Sequence, residues 1–195
     1  NGLFDATETI PQKIGATIDL MGFTAASDGT FYASGHPGPG ADLPNPLGLM
    51  KSTDGGESWI PVSLQGESDF HAMTATSDRL VGFDGILRST ADGTKWTDAG
   101  PMAPSPYALV GNPDNTVVLA TTEEGVWRSI DSGSSWSAPT KGPRLLTAAF
   151  ADLMTVIGVT PEGSVYLSTD AGQTWKATGT EVDQPAAVGA TRTDD

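Results

Sequence analysis

Ser168-Thr169-Asp170-Ala171-Gly172-Gln173-Thr174-Trp175 carries the pattern Ser-x-Asp-x-Gly-x-x-Trp, and that pattern returns through the chain. Ser52-Thr53-Asp54-Gly55-Gly56-Glu57-Ser58-Trp59 and Ser129-Ile130-Asp131-Ser132-Gly133-Ser134-Ser135-Trp136 are complete copies. Ser89-Thr90-Ala91-Asp92-Gly93-Thr94-Lys95-Trp96 reads as a fourth copy whose Asp has slipped by one position. The starts at 52, 89, 129 and 168 give intervals of 37, 40 and 39 residues, a period in the range of propeller blades.

Each part of the segment suits a tight reversal between two strands. The Asp accepts hydrogen bonds from backbone N–H groups a few residues on, the Gly takes positive φ without a Cβ penalty, and the Ser adds a local bond. The Trp is expected to bury a large apolar surface against its own blade. A calcium loop is the competing reading of Asp54-Gly55-Gly56-Glu57, and the ligand count is too low for it.

Working outward, a short apolar strand precedes each copy: Gly48-Leu49-Met50-Lys51, Gly85-Ile86-Leu87-Arg88, Gly125-Val126-Trp127-Arg128 and Ser164-Val165-Tyr166-Leu167. Two units also share their beginnings, since Asp19-Leu20-Met21-Gly22-Phe23-Thr24-Ala25-Ala26-Ser27-Asp28 matches Asp69-Phe70-His71-Ala72-Met73-Thr74-Ala75-Thr76-Ser77-Asp78. Second strands are expected over 30–34, 79–83, 116–121 and 155–159, and inner strands over 107–110 and 145–150. Asn112-Pro113-Asp114-Asn115 reads as a turn. The expected organisation is one all-β propeller of four-stranded antiparallel blades at 16–66, 67–102, 103–142 and 143–181, with partial units at 1–15 and 182–195. Residues 185–190 are expected to form the inner strand of the last partial unit, and the chain to be part of a six- to eight-bladed ring.

Composition agrees: 24 Gly and 14 Pro in 195 residues suit many short strands joined by turns. The net charge of −14 repels a phosphate backbone or an anionic membrane surface, so nucleic acid is not an expected partner. No apolar run is long enough to cross a membrane as a helix, and the absence of Cys removes disulfides and thiolate chemistry.

With these residues in place, Ser-x-Asp-x-Gly-x-x-Trp resembles the Asp-box, or bacterial neuraminidase repeat. The resemblance implies a β-propeller with the boxes on the outer rim, away from the central face. His36-Pro37-Gly38-Pro39-Gly40, Leu43-Pro44-Asn45-Pro46-Leu47-Gly48-Leu49 and Asp69-Phe70-His71-Ala72 further resemble bacterial extracytoplasmic propellers of the sialidase-like or glycosyl-hydrolase-like kind, which implies a secreted or surface-anchored location.

Sialidase chemistry needs three convergent arginines, a Tyr paired with a Glu, and an Asp. The five Arg fit that triad poorly: Arg88 and Arg128 share a repeat position with Lys51, while Arg79, Arg144 and Arg192 lie near turns. Tyr32, Tyr107 and Tyr166 fall in strands with no Glu at matching places. Asp19 and Asp69 are the candidate pair for another glycoside hydrolase, which needs two carboxyl groups across one cleft. The sharper lead is His36 and His71. With Asp69 or Asp42 they form a candidate ligand or metal site, imidazole and carboxylate being suitable ligands for zinc or copper. The resulting expectation is a binding or assembly propeller that holds a protein, small molecule or glycan on its face, with a glycoside hydrolase as the alternative.

Overall fold

The computed structural model describes residues 2–99, 104–112, 114–139 and 141–191. Among them every regular element is a strand. A hairpin of β1 (Leu3–Asp5) and β2 (Gln12–Ile14) precedes four sheets. Blade I is β3 (Ile18–Ala25), β4 (Phe31–Pro37), β5 (Leu49–Ser52) and β6 (Ile60–Ser63). Blade II is β7 (Ala72–Ala75), β8 (Leu80–Phe83), β9 (Leu87–Thr90) and β10 (Thr97–Asp98). Blade III is β11 (Ala108–Gly111), β12 (Val118–Thr122) and β13 (Gly125–Ser129), its fourth strand reduced to the bridge between Arg128 and Ser137. Blade IV is β14 (Thr147–Phe150), β15 (Val156–Val159), β16 (Ser164–Ser168) and β17 (Lys176–Glu181).

Every sheet is an antiparallel meander in sequence order, and the first strands β3, β7, β11 and β14 lie side by side. They line a central cavity of about 630 Å³. Side-chain hydroxyls tie them together: Thr24 Oγ1 accepts the Ala75 N–H at 3.0 Å, and Thr74 Oγ1 accepts the Gly111 N–H at 2.7 Å. A meander places the start of strand one and the turn between strands two and three at one end of the blade, here the upper face. The turns between strands one and two, and between three and four, fall on the lower face.

The repeated segment is the lower-face turn between strands three and four. In its three complete copies Ser Oγ donates to Asp Oδ1 at 2.7–2.8 Å and accepts the Gly N–H at 2.8–2.9 Å. The same Asp takes the N–H and the hydroxyl of Ser58, Ser135 or Thr174. Asp54 is thereby held at about 2, chiefly by the Ser58 hydroxyl and N–H. For Asp131 and Asp170 burial pushes upward, and their hydrogen bonds together outweigh it and lower both.

The fourth copy is not a slipped one. Thr90, rather than Ser89, supplies the hydroxyl: Thr90 Oγ1 accepts the Gly93 N–H at 2.9 Å, while Asp92 Oδ1 takes the N–H groups of Thr94 and Lys95. The turn is one residue shorter between Asp and Trp, and counting from Thr90 the intervals become 38, 39 and 39. The missing residue is one that is left-handed in the other copies, where Gly55, Ser132 and Ala171 all have positive φ.

Three of the four turn tryptophans do more than cover their own blades, whereas Trp59 packs within blade I. Trp96 Nε1 donates to Ser63 Oγ of blade I at 3.0 Å, its ring stacks on Phe70 at 4.6 Å, and it packs in a cluster that includes Leu49 of blade I. Trp136 and Trp175 likewise sit in clusters drawn from two blades each. The turn glycines explain the closeness: a Cβ on Gly133 would lie 3.0 Å from Val81, and one on Gly172 would lie 2.6 Å from Leu119, both on the preceding blade. The repeated turn is therefore an inter-blade joint.

Two strand expectations are corrected. β4 runs on past Ser34 to Pro37, so His36 sits in a strand, paired with Asp19, rather than at the head of the Pro-Gly loop. Pro37 is tolerated because it is the last residue of its strand. Residues 185–190 form no strand: Val188, Gly189 and Ala190 line the central cavity beside blade IV without ladder pairing. Pro113 and Arg192 lie outside the described residues.

Candidate functional site

The upper face of blades I and II gathers the sequence candidates. β4 carries His36 to its upper end, and the segment leading into β7 brings Asp69 and His71 alongside, with the His71 N–H bonded to the Phe83 carbonyl at 2.9 Å. Phe70, between them, is fully buried, and its N–H donates to Ser34 Oγ of blade I at 3.0 Å. This anchor fixes Asp69 and His71 on either side of a core residue.

The two imidazoles converge on one carboxylate oxygen. Asp69 Oδ2 lies 2.8 Å from His71 Nε2 and 3.1 Å from His36 Nε2. His36 Nδ1 is 2.6 Å from Asn45 Oδ1 in the Pro-Gly loop. That loop is held in turn by Leu47 N–H to Gly35 O, Gly66 N–H to Pro46 O, and Gln65 Nε2 to the Leu47 and Leu49 carbonyls. The His36 pKa is raised, first by the Asn45 hydrogen bond, against some desolvation, with the Asp69 and Asp19 carboxylates adding to the rise. Asp69 Oδ1 is buried and has no hydrogen-bond partner among the described residues.

An ionised Asp69 requires a donor at each Nε2. In neutral His71 that is the tautomer with the proton on Nε2, which makes Nδ1 an acceptor on a side chain that is 61% exposed. His36, with acceptors at both ring nitrogens, is suited to the imidazolium form.

The sequence candidates separate here. His36, Asp69 and His71 come together, and Asp19 joins them through its pairing with His36. Asp42 is exposed in the loop and takes no part in the cluster's hydrogen bonds or ion pairs. The zinc or copper expectation does not fit this arrangement: among the described residues no group of three His, Asp or Glu could hold a metal ion, and the carboxylate oxygen fills the point where the imidazoles meet.

A second gathering was missed. Tyr107, Glu123, Arg144, Glu162 and Tyr166 line one cavity of about 480 Å³ between blades III and IV, so both tyrosines do share a space with glutamates. Sequence matching by position within one blade could not find it, because the residues come from turns and strands of two blades.

No family model and no curated protein matches the chain. Solved structures do. An enzyme of glycoside hydrolase family GH74 from Niastella koreensis matches 87% of this chain and 26% of its own at 14% identity, with a TM-score of 0.62. YCF48 bound to D1 peptide matches 90% and 58% at 20% identity, TM-score 0.58. The GH74 xyloglucanase from Xanthomonas campestris matches 88% and 34% at 16% identity, TM-score 0.56. The chain thus spans between about a quarter and somewhat over half the length of these propellers, and at such identities the likeness is one of fold.

Proposed function

We propose that this chain is a non-catalytic binding propeller that engages its ligand on the upper face of blades I and II. The observation that carries the reading is the convergence of His36 and His71 on one Asp69 oxygen. A carboxylate held at Oδ2 by two imidazoles and buried at Oδ1 is poorly presented as a nucleophile or general acid, whereas it is a good clamp for orienting a recognition surface. The surface it orients presents His71 Nδ1 as an acceptor, which suits a ligand N–H such as a peptide amide. The likeness to a propeller bound to a peptide supports a peptide or protein segment as the ligand. An extracytoplasmic setting, by the repeat resemblance, belongs to the same proposal.

The test is selection of a random heptapeptide library on the intact chain, followed by titration of the recovered peptide. Binding is expected to be lost in His71→Ala and weakened in Asp69→Asn. The likeness to two GH74 proteins gives the opposing outcome its content: turnover of a glycan panel by the intact chain, abolished by Asp69→Asn or Asp19→Asn, would replace binding with hydrolysis.

A further inference from the structure

From the cavity between blades III and IV we infer a second binding site on the upper face, one that takes an ammonium or guanidinium group. It is separate from the His36, Asp69 and His71 cluster and shares only the face with it.

Corresponding turns of adjacent blades each deliver a glutamate. Glu123 stands in the turn between β12 and β13, which is fixed by Thr122 Oγ1 donating to Gly125 O at 2.8 Å and accepting the Glu124 N–H at 3.2 Å. Glu162 stands in the turn between β15 and β16, fixed by the Gly163 N–H to Thr160 O and by the Val182 N–H to Gly163 O, both at 2.9 Å. Gly163 has φ +97°, and a Cβ there would come within 1.9 Å of the Val182 carbonyl oxygen, so the turn accepts only glycine at position 163. Tyr107 is pinned by its N–H to Thr121 O at 2.7 Å while its side chain stays exposed, and Tyr166 is held within β16. Pro143 and Pro161 complete rigid walls.

The two carboxylates and two phenol rings make no hydrogen bond or ion pair with the described residues through their side chains, although all four line the same space. Carboxylates on fixed turns beside two tyrosines suit a cation, which gains charge-assisted hydrogen bonds without reorganising its host. Two Glu against one Arg leave the cavity with a net negative charge, and the chain's −14 steers cations toward it. An anionic ligand is disfavoured on the same count.

Nα-acetyl-lysine methylamide is the probe, titrated into the intact chain with the Tyr107 and Tyr166 ring resonances as readout. Both rings are expected to shift, the norleucine analogue to bind at least about tenfold more weakly, and Glu123→Gln with Glu162→Gln to weaken the lysine probe by about tenfold. Butane-1,4-diamine in a parallel arm separates a free polyamine from a peptide-borne cation; either binding supports the site. Glu8→Gln with Glu57→Gln is the charge-matched control and is expected to leave binding unchanged. Equal weakening by that control, or equal binding of norleucine or of methyl glucoside, would overturn the inference. Retention of lysine binding in His71→Ala would show that this site stands or falls independently of the first.

Discussion

The lower and upper faces of this propeller are built on opposite rules. On the lower face the same turn occurs four times, and nearly every polar group in it is satisfied locally: the buried Ser or Thr hydroxyl by Asp and Gly, the Asp by the N–H groups that follow it. On the upper face the turns differ from blade to blade. A Pro-Gly loop tops blade I, and short turns bearing Glu123 and Glu162 top blades III and IV. The His71 side chain there is 61% exposed and its Nδ1 has no partner among the described residues. Repetition with internal satisfaction marks structure, and singular residues with spare hydrogen-bonding capacity mark the place where a ligand can add something.

The contrast can be broken most forcefully at the inter-blade joint. Trp175→Ala is expected to cost about 3 kcal/mol in urea unfolding, because the ring bridges clusters from blades III and IV and its Nε1 donates to Gly172 O at 3.2 Å. His71→Ala, on an exposed side chain, is expected to leave the unfolding midpoint nearly unchanged. A comparable loss in both would erase the distinction between the faces.

A smaller effect separates close approach from backbone conformation. Gly172 and Gly29 have nearly the same positive φ, +81° and +83°, and only at Gly172 would a Cβ collide, with the Leu119 methyls. Gly172→Ala is expected to exceed Gly29→Ala by about 1–3 kcal/mol. Equal costs would mean that the turn glycines are chosen for φ alone.

The shortened copy gives a finer test. Thr90→Ala should destabilise by about 1 kcal/mol, since it removes the acceptor of the Gly93 N–H, and Ser89→Ala by less. The reverse order would restore Ser89 as the head of the repeat.

The pH dependences of the two faces run in opposite directions. Asp54 is depressed from 3.8 to about 2, so its contribution is complete above the unfolded value and is lost as pH falls through that interval. His36 is raised above 6.5, so its contribution is complete below that value and is lost as pH rises through the folded pKa. NMR titration of the Asp54 carboxyl and of the His36 ring reads both directions, and a His36 value below 6.5 would contradict the hydrogen-bonding scheme at Asn45. Zinc gives the same face a further check: no shift in melting temperature on its addition is expected, and a rise abolished by His71→Ala would return the cluster to metal chemistry.

Much of this was legible in the chain itself. The period of about 39, the apolar strand before each copy and the turn chemistry of Ser, Asp and Gly fix a propeller meander, because they are local and each recurs within one strand-turn-strand unit. For the same reason His36 and His71 stood out as residues that break the repeat. The sequence brought His36, Asp69 and His71 of adjacent blades to one face, and what it did not contain was the geometry by which neighbouring blades meet. That Trp96 reaches Ser63, that both imidazoles meet at a single oxygen of Asp69, and that Glu123 and Glu162 share a cavity with Tyr107 and Tyr166 all depend on how neighbouring sheets are rotated against one another. That rotation is set by side-chain packing at the inter-blade joints, and packing between distant residues leaves no spacing rule in the sequence.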